Sequence, residues 1–219
     1  MAKSRKTSGS HIDADDHGTP TRRYRIVIEA GRLFSLKGYH SVSMREIATA
    51  ADVQLSLIVY HFSNKENLYR SIFDHFHTFF EERLEQLDRI EPLTAPDALH
   101  RIVEAFVMPV LNAKATEERW IYSQLILREA SDPEEEARGI IRDYYDPMAR
   151  KFIEALKKAL SDKDFHGLTW GYLFSVSALV MSHFDARMQR LSDSETNEAH
   201  EYEKNKFLIR FICGGLSGI

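Results

Sequence analysis

An all-α fold follows from three observations on this 219-residue chain. Only six prolines and ten glycines punctuate it, and almost no stretch alternates apolar and polar residues as a half-buried strand would. Apolar residues recur instead at three- and four-residue spacing. Several of these periodic segments begin at capping residues: Ser43 stands three residues before Glu46, and Ser63 three before Glu66, which is the capping-box spacing.

Residues 1–20 are polar, rich in Ser, Gly, Asp and His, and are expected to be a disordered arm. The first helix is expected from Arg22 to Lys37. Thr21 caps it, Ile26, Ala30, Leu33 and Phe34 form one stripe, and Gly38 ends it. A short helix follows from Met44, with Ile47, Ala48 and Ala51 on one face. Asp52 then stands where the chain must turn, and Asp tolerates the left-handed region better than most residues.

The next stretch, Val53–Phe62, reads "VQLSLIVYHF" and has the composition of a strand. A lone strand between two capped helices would leave its backbone groups without partners. Gln54–Tyr60 is therefore expected to be a short helix, which makes a helix-turn-helix with the one before. Ser63 then caps a long helix expected to run to Ile90. Further helices are expected from Pro96, with a kink or end at Pro109, and over "EERWIYSQLILREA". Another starts at Ser131 or Asp132 and is interrupted at Pro147. The last two cover Asp164–Leu191 and Glu195–Cys213, about nine helices in all.

Composition narrows the function. No apolar run reaches the ~20 residues needed to span a bilayer. The N-terminus lacks the apolar core of a secretory signal. Cys213 is alone, which excludes an internal disulfide and fits a reducing compartment. A cytoplasmic protein is the expectation. Net charge is −4, but residues 1–65 carry +4 and residues 66–219 carry −8. A basic N-terminal part on an acidic body suits a small domain that meets phosphates, although chance asymmetry gives the same numbers. Arg22, Arg23 and Arg25 either touch a polyanion or are simply solvated.

No nucleophile elbow, phosphate-cradling glycine loop or paired metal ligands occur, so no catalytic residue, cofactor or metal is expected. His75 and His77 are two apart and face different ways on a helix, as do His183 and Asp185.

The run "LFSLKGYHSVSMREIATAADVQLSLIVYHFSNKENLYRSIF" resembles the DNA-binding domain of the TetR/AcrR family of transcriptional regulators. Phe34, Gly38, Tyr39, Ser43, Arg45, Ile47, Ala48, Ala51, Val53, Tyr60, His61, Phe62, Lys65 and Glu66 carry the likeness, in register and without gaps over about 50 residues. The resemblance implies a three-helix DNA-binding domain over residues 21–66, running into the next helix, and an effector-binding and dimerisation domain over 67–219. It implies a regulator that binds a near-palindromic DNA operator as a homodimer and is released by a small-molecule effector, with repression as the outcome.

By position, Ser43, Arg45, Tyr60, His61 and Lys65 would contact phosphates, while Gln54, Leu55, Ser56 and Leu57 would face base edges. Plain packing is an alternative for Tyr60, His61 and Phe62, and plain solvation for Lys65. Four departures stand out: Asp52 replaces the family's glycine, Gln54 its serine cap, and Leu55 and Val59 a usual lysine and tyrosine. Asp52, Leu55 and Val59 keep open a helical interaction protein that has lost specific DNA binding.

For the larger domain the resemblance implies a pocket and an interface. Phe76, Phe80, Met108, Trp120, Tyr122, Trp170, Phe174 and Met181 are candidates for a largely apolar or aromatic effector cavity. Leu168–Phe184 is apolar nearly all round. With small Ser175 and Ala178 on it, and Phe207 and Phe211 on the last helix, it is the candidate dimer contact; burial within one chain is the alternative.

Overall fold

The structure, a computed structural model, describes residues 21–112, 117–184, 191 and 198–219, with the side chains of 78–80, 119, 183, 184 and 198–202 outside the description. The expected arm, the Phe80 side chain and the His183–Asp185 pair therefore lie outside the described residues. The described residues form eleven α-helices and one π-helical turn. These are α1 (Arg22–Lys37), α2 (Met44–Ala50), α3 (Leu55–Phe62), α4 (Lys65–His75), α5 (Thr78–Asp88), α6 (Ala98–Leu111), α7 (Glu117–Ala130), α8 (Glu135–Arg138), the π turn (Ile141–Tyr145), α9 (Asp146–Ala159), α10 (Phe165–Phe184) and α11 (Glu198–Ser217). No helix among them is long and apolar enough to cross a membrane.

The expected long helix to Ile90 is two helices. After α4 the Phe76 N–H bonds the Ile72 carbonyl at 3.0 Å, but His77 reaches only three residues back, to Asp74 at 3.3 Å. Phe76 is drawn into the core against Tyr122, ring centroids 5.0 Å apart. No glycine or proline announces this break, so apolar spacing alone runs straight through it. The helix count rises above nine here and at α8, which Gly139 ends with φ 65°. At Pro147 the chain stays helical: the π turn Ile141–Tyr145 passes directly into α9, whose first turn holds the proline, so the expected interruption is a change of helix type. Pro109 lies inside α6, which ends two residues later at Leu111.

By packing, the chain divides into two compact units: one up to Thr78 together with Glu117–Glu135, the other Phe79–Thr116 with Glu136–Ile219. The first unit is organised around α1, which packs on α2, α3, α4 and α7. Ile26, Ala30 and Phe34 of α1 are buried with Ile47, Ile58, Leu68, Ile72, Ile121 and Leu125. Gly31 allows the close approach: a Cβ there would lie 3.2 Å from the Ile121 side chain and 3.5 Å from Ile72.

Polar ties hold α7 to α1 and α4. Arg128 donates from Nε to the Ser35 carbonyl and from Nη2 to Leu36, the latter at 2.6 Å. It thereby satisfies carbonyls that the end of α1 leaves open. Arg32 pairs with Glu117 at 2.5 Å, and the buried Tyr69 hydroxyl donates to Glu129 at 2.7 Å.

The second unit packs α6, α9, α10 and α11 together. Phe106, Phe152 and Tyr172 cluster at its centre, and the Arg83 guanidinium lies 5.1 Å from the Phe106 ring. Burial holds the Tyr172 phenol up at about 12. Gly167 and Gly171 form a notch on α10 that Ile219 and Leu216 fill; a Cβ at Gly171 would lie 2.7 Å from Leu216.

Candidate nucleic-acid interface

The helix-turn-helix is built by local backbone chemistry. Ser43 Oγ accepts the Glu46 N–H at 3.2 Å and starts α2. The box closes on that side only, because the Glu46 carboxylate is taken by Lys37, whose bond holds it below the usual carboxylate range. At the far end Ala51 N–H bonds Ile47 O at 2.9 Å, Asp52 N–H bonds Thr49 O at 3.2 Å, and Val53 N–H bonds Ala48 O at 3.0 Å. Asp52 makes the turn at φ 52°, the left-handed position the sequence assigns to it. Gln54 opens α3 with no side-chain cap bond.

The exit from α3 differs from expectation. Ser63 adopts φ 66° and ends α3, and Asn64 Oδ1 caps α4 by accepting the Asn67 N–H at 2.8 Å. One residue must reverse the chain between the two helices, so Ser63 is consumed by the turn and the next residue takes the cap.

Val53–Phe62 is thus helical from Leu55 onward, and its two faces differ. Ile58 (0% exposed) and Phe62 point into the first unit. Gln54, Ser56, Val59, Tyr60 and His61 are exposed; Val59 is 47% and Tyr60 82% exposed. Leu55 and Leu57 are half-buried between the faces. Val59 is missing from the sequence-derived site. The spacing Ser56, Val59, Tyr60 and Ser63, an i, i+3, i+4, i+7 stripe opposite Ile58 and Phe62, is the signal that finds it.

Ser43 and Arg45 are both exposed, and the Ser43 hydroxyl keeps its proton for an outside acceptor. Arg22 and Arg25 of α1 join Thr49, Asp52, Gln54, Ser56 and Leu57 in one cleft of about 650 Å³. Arg23 turns inward over the Phe62 ring at 5.3 Å. Of the three arginines whose role the sequence leaves open, two line the cleft and one packs. Lys65 is half-buried: its ammonium lies 4.4 Å from the Tyr39 ring and 3.5 Å from the His40 carbonyl. Burial lowers its pKa from the ordinary lysine range. Its expected phosphate contact therefore competes with a packing role.

The aromatic candidates for an effector cavity differ in burial. Phe76 and Tyr122 are closed core, and Met108 is half-buried. Trp120, Trp170, Phe174 and Met181 are exposed. The reason is visible on α10. Leu168, Gly171, Tyr172, Ser175 and Leu179 face inward, so the residues between them face out.

Ser175 is buried by the same geometry, its hydroxyl donating to Gly171 O at 2.7 Å, and Ala178 is half-buried. Phe207 and Phe211 of α11 are exposed. An open groove of about 870 Å³ in the second unit is lined by Leu87, Ile90, Leu93, Lys151, Glu154 and Lys158 among others, and by none of the aromatic candidates. Among the described residues no group of three His, Cys, Asp or Glu side chains is placed to hold a metal.

Comparison with known proteins agrees with this geometry. A family model described as "Bacterial regulatory proteins, tetR family" matches residues 26–72. One described as "Tetracyclin repressor-like, C-terminal domain" matches residues 104–215, just over half of the chain. The biofilm operon icaADBC negative transcriptional regulator IcaR of Staphylococcus aureus is 23% identical over 182 residues, 78% of this chain and 90% of that protein. The transcriptional regulator AcrR of Shigella flexneri is 32% identical over 97 residues, 44% of this chain and 43% of that protein. The crystal structure of HlyIIR, a hemolysin II transcriptional regulator, superposes with a TM-score of 0.59 at 20% identity, covering 90% of this chain and 97% of that one. Mycobacterium smegmatis AmtR superposes with a TM-score of 0.57 at 15% identity, covering 88% and 86%. These two likenesses establish the fold.

Proposed function

The chain belongs to the TetR family of bacterial regulatory proteins, and from that premise we propose that it is a repressor that binds a near-palindromic operator as a homodimer and leaves it when a small molecule binds. It is a DNA-binding transcriptional regulator and not an enzyme. The observation that carries the reading is the division of α3 into a buried face and a face of Gln54, Ser56, Val59 and Tyr60 open to solvent. A second helix of this motif places such a face in the major groove.

Residues 21–66 are the DNA-binding part in this reading, and residues 67–219 carry effector binding and dimerisation. Tyr60, His61, Ser43 and Arg45 reach phosphates, together with Arg22 and Arg25 from the cleft. Gln54 and Ser56 meet base edges, and Val59 with the half-exposed Leu55 and Leu57 contacts thymine methyls. IcaR is a negative regulator by name, which favours repression.

The outward face of α10 carries Trp170, Leu173, Phe174 and Met181, and Phe207 and Phe211 of α11, which packs on α10, are exposed as well. A patch of large apolar side chains on this scale calls for a partner surface, and a second copy of the chain is the one this function needs. Pairing would set the two α3 helices roughly one DNA turn, ~34 Å, apart. An effector then acts by preferring the arrangement with the wrong spacing, lowering DNA affinity by its differential affinity for the two states.

The test is selection of bound duplexes from a random-sequence pool by the intact protein. An enriched inverted repeat, with an affinity that falls as salt rises, supports the regulator. A complex with no sequence preference at any salt supports the interaction protein instead.

A further inference from the structure

We propose that Asp52 is a specificity-determining residue: it penalises every duplex through its charge and is repaid only where a base offers it an amino group. The proposal rests on the reading that α3 enters the major groove. Asp52 is exposed and lines the cleft that Arg22 and Arg25 share with Gln54 and Ser56. Its backbone is fixed. The turn holds it at φ 52°, with its N–H bonded to Thr49 O at 3.2 Å and the next N–H bonded to Ala48 O at 3.0 Å. A left-handed residue in so short a turn cannot swing its side chain away by moving the backbone without breaking those bonds.

Consider the cleft without the carboxylate. Two exposed arginines at the mouth of a groove beside a helix-turn-helix attract any polyphosphate backbone, and such attraction is the sequence-independent part of DNA binding. A carboxylate beside them subtracts from it. Glycine suits a position at φ 52° better than aspartate does, because it meets no side-chain penalty there. Aspartate at this site therefore carries two costs, backbone and electrostatic, and neither yields a contact within the described structure.

The return lies in base chemistry. An ionised carboxylate only accepts hydrogen bonds, and in the major groove the amino group of cytosine is the donor that Asp and Glu read. Phosphates offer no donor. Asp52 thus lowers affinity for sequences lacking cytosine at its position more than for those that have it, and so widens the ratio of specific to non-specific binding.

The experiment uses the full chain and its Asp52→Asn variant, which keeps the shape and the tolerance for φ > 0. Affinity is measured for a random-sequence duplex and for the sequence the wild type selects. A unit charge ~6–8 Å from a phosphate in water-like surroundings is worth about threefold in affinity, so a dimer with two such sites gains roughly tenfold on random DNA. The selected sequence should gain less or lose, and the cytosine preferred at one position in each half-site should no longer be selected. Asp52→Gly relieves the backbone as well as the charge and should bind in the same way, which guards against a folding defect in the first variant. Unchanged affinity for random DNA would overturn the proposal. So would an equal gain on both duplexes, or a selected sequence identical to the wild type's. A wild type that selects no sequence at all would overturn the DNA-reading function itself, a different outcome from any of these.

Discussion

Replacing Ile58 and Val59 one at a time by alanine separates the two faces of α3. The residues are adjacent in sequence, yet Ile58 is 0% and Val59 47% exposed. Ile58→Ala removes about three buried carbons. At ~0.8 kcal/mol per buried methylene that is roughly 2.4 kcal/mol, and an uncollapsed cavity raises the loss to about 3–4 kcal/mol. α3 packs on α1, α2 and α4, so the surroundings of Ile58 come from several helices, which limits collapse. Val59→Ala removes two carbons that are only half covered, worth under ~1 kcal/mol, and gains a few tenths from the better helix propensity of alanine, roughly 0.5 kcal/mol. Its net effect on stability should be near zero.

The assay is urea unfolding followed by far-UV circular dichroism, with fluorescence anisotropy on the selected duplex below the transition. Ile58→Ala should shift the midpoint strongly. Val59→Ala should leave the midpoint in place and weaken DNA binding several-fold, as expected from one lost apolar base contact of ~1 kcal/mol. Equal destabilisation by the two variants would refute the assignment of faces, and with it the argument that the strand-like composition of Val53–Phe62 belongs to a recognition helix.

Gly171→Val should cost about 1–3 kcal/mol in thermal unfolding, because its side chain would collide with Leu216 and Ile219 where α11 crosses α10; a neutral effect would show that the end of α11 does not sit in the notch. Arg128→Met should cost about 1–3 kcal/mol by removing both charged bonds to the Ser35 and Leu36 carbonyls, read as a fall in urea midpoint, and an unchanged midpoint would deny α7 its hold on α1. The Tyr172 pKa is raised in the folded state, from 10.0 to about 12. The native state therefore keeps a proton that the unfolded state loses, so stability is full below pH ~10 and falls as pH rises toward 12, by on the order of 2–3 kcal/mol. Tyr172→Phe should flatten that alkaline limb, and an identical limb in the variant would place the titrating group elsewhere.

Much of the first unit is legible in the sequence because its signals are local. Thr21, Ser43 and Gly38 act on the backbone within three or four residues, and Asp52 takes the left-handed turn that its side chain makes tolerable. One local signal misleads. Ser63 has the spacing of a cap but is used up by the one-residue reversal after α3, and Asn64 beside it is an equally good cap. The break at Phe76 has no sequence marker, since it depends on Tyr122, a residue on a distant helix.

The faces of α10 are illegible for another reason. Apolar residues surround it, so periodicity carries no direction, and only its neighbours on α9 and α11 decide that Tyr172 and Ser175 turn in while Trp170 and Phe174 turn out. That is why aromatic residues expected to line a pocket stand on the surface. The face of Val59 is likewise undecided by its composition: a β-branched apolar residue suits either side of α3, and the burial of Ile58 and Phe62 opposite it is what turns it outward.

The most direct measurement is the footprint and stoichiometry of the wild-type protein on its selected duplex. Two chains should protect one duplex at two half-sites about 10 base pairs apart, centre to centre, and the logarithm of the binding constant should fall linearly with the logarithm of salt concentration. One chain per duplex, or protection that does not depend on sequence at any salt, would contradict the assignment of α3 as a recognition helix working in a paired regulator.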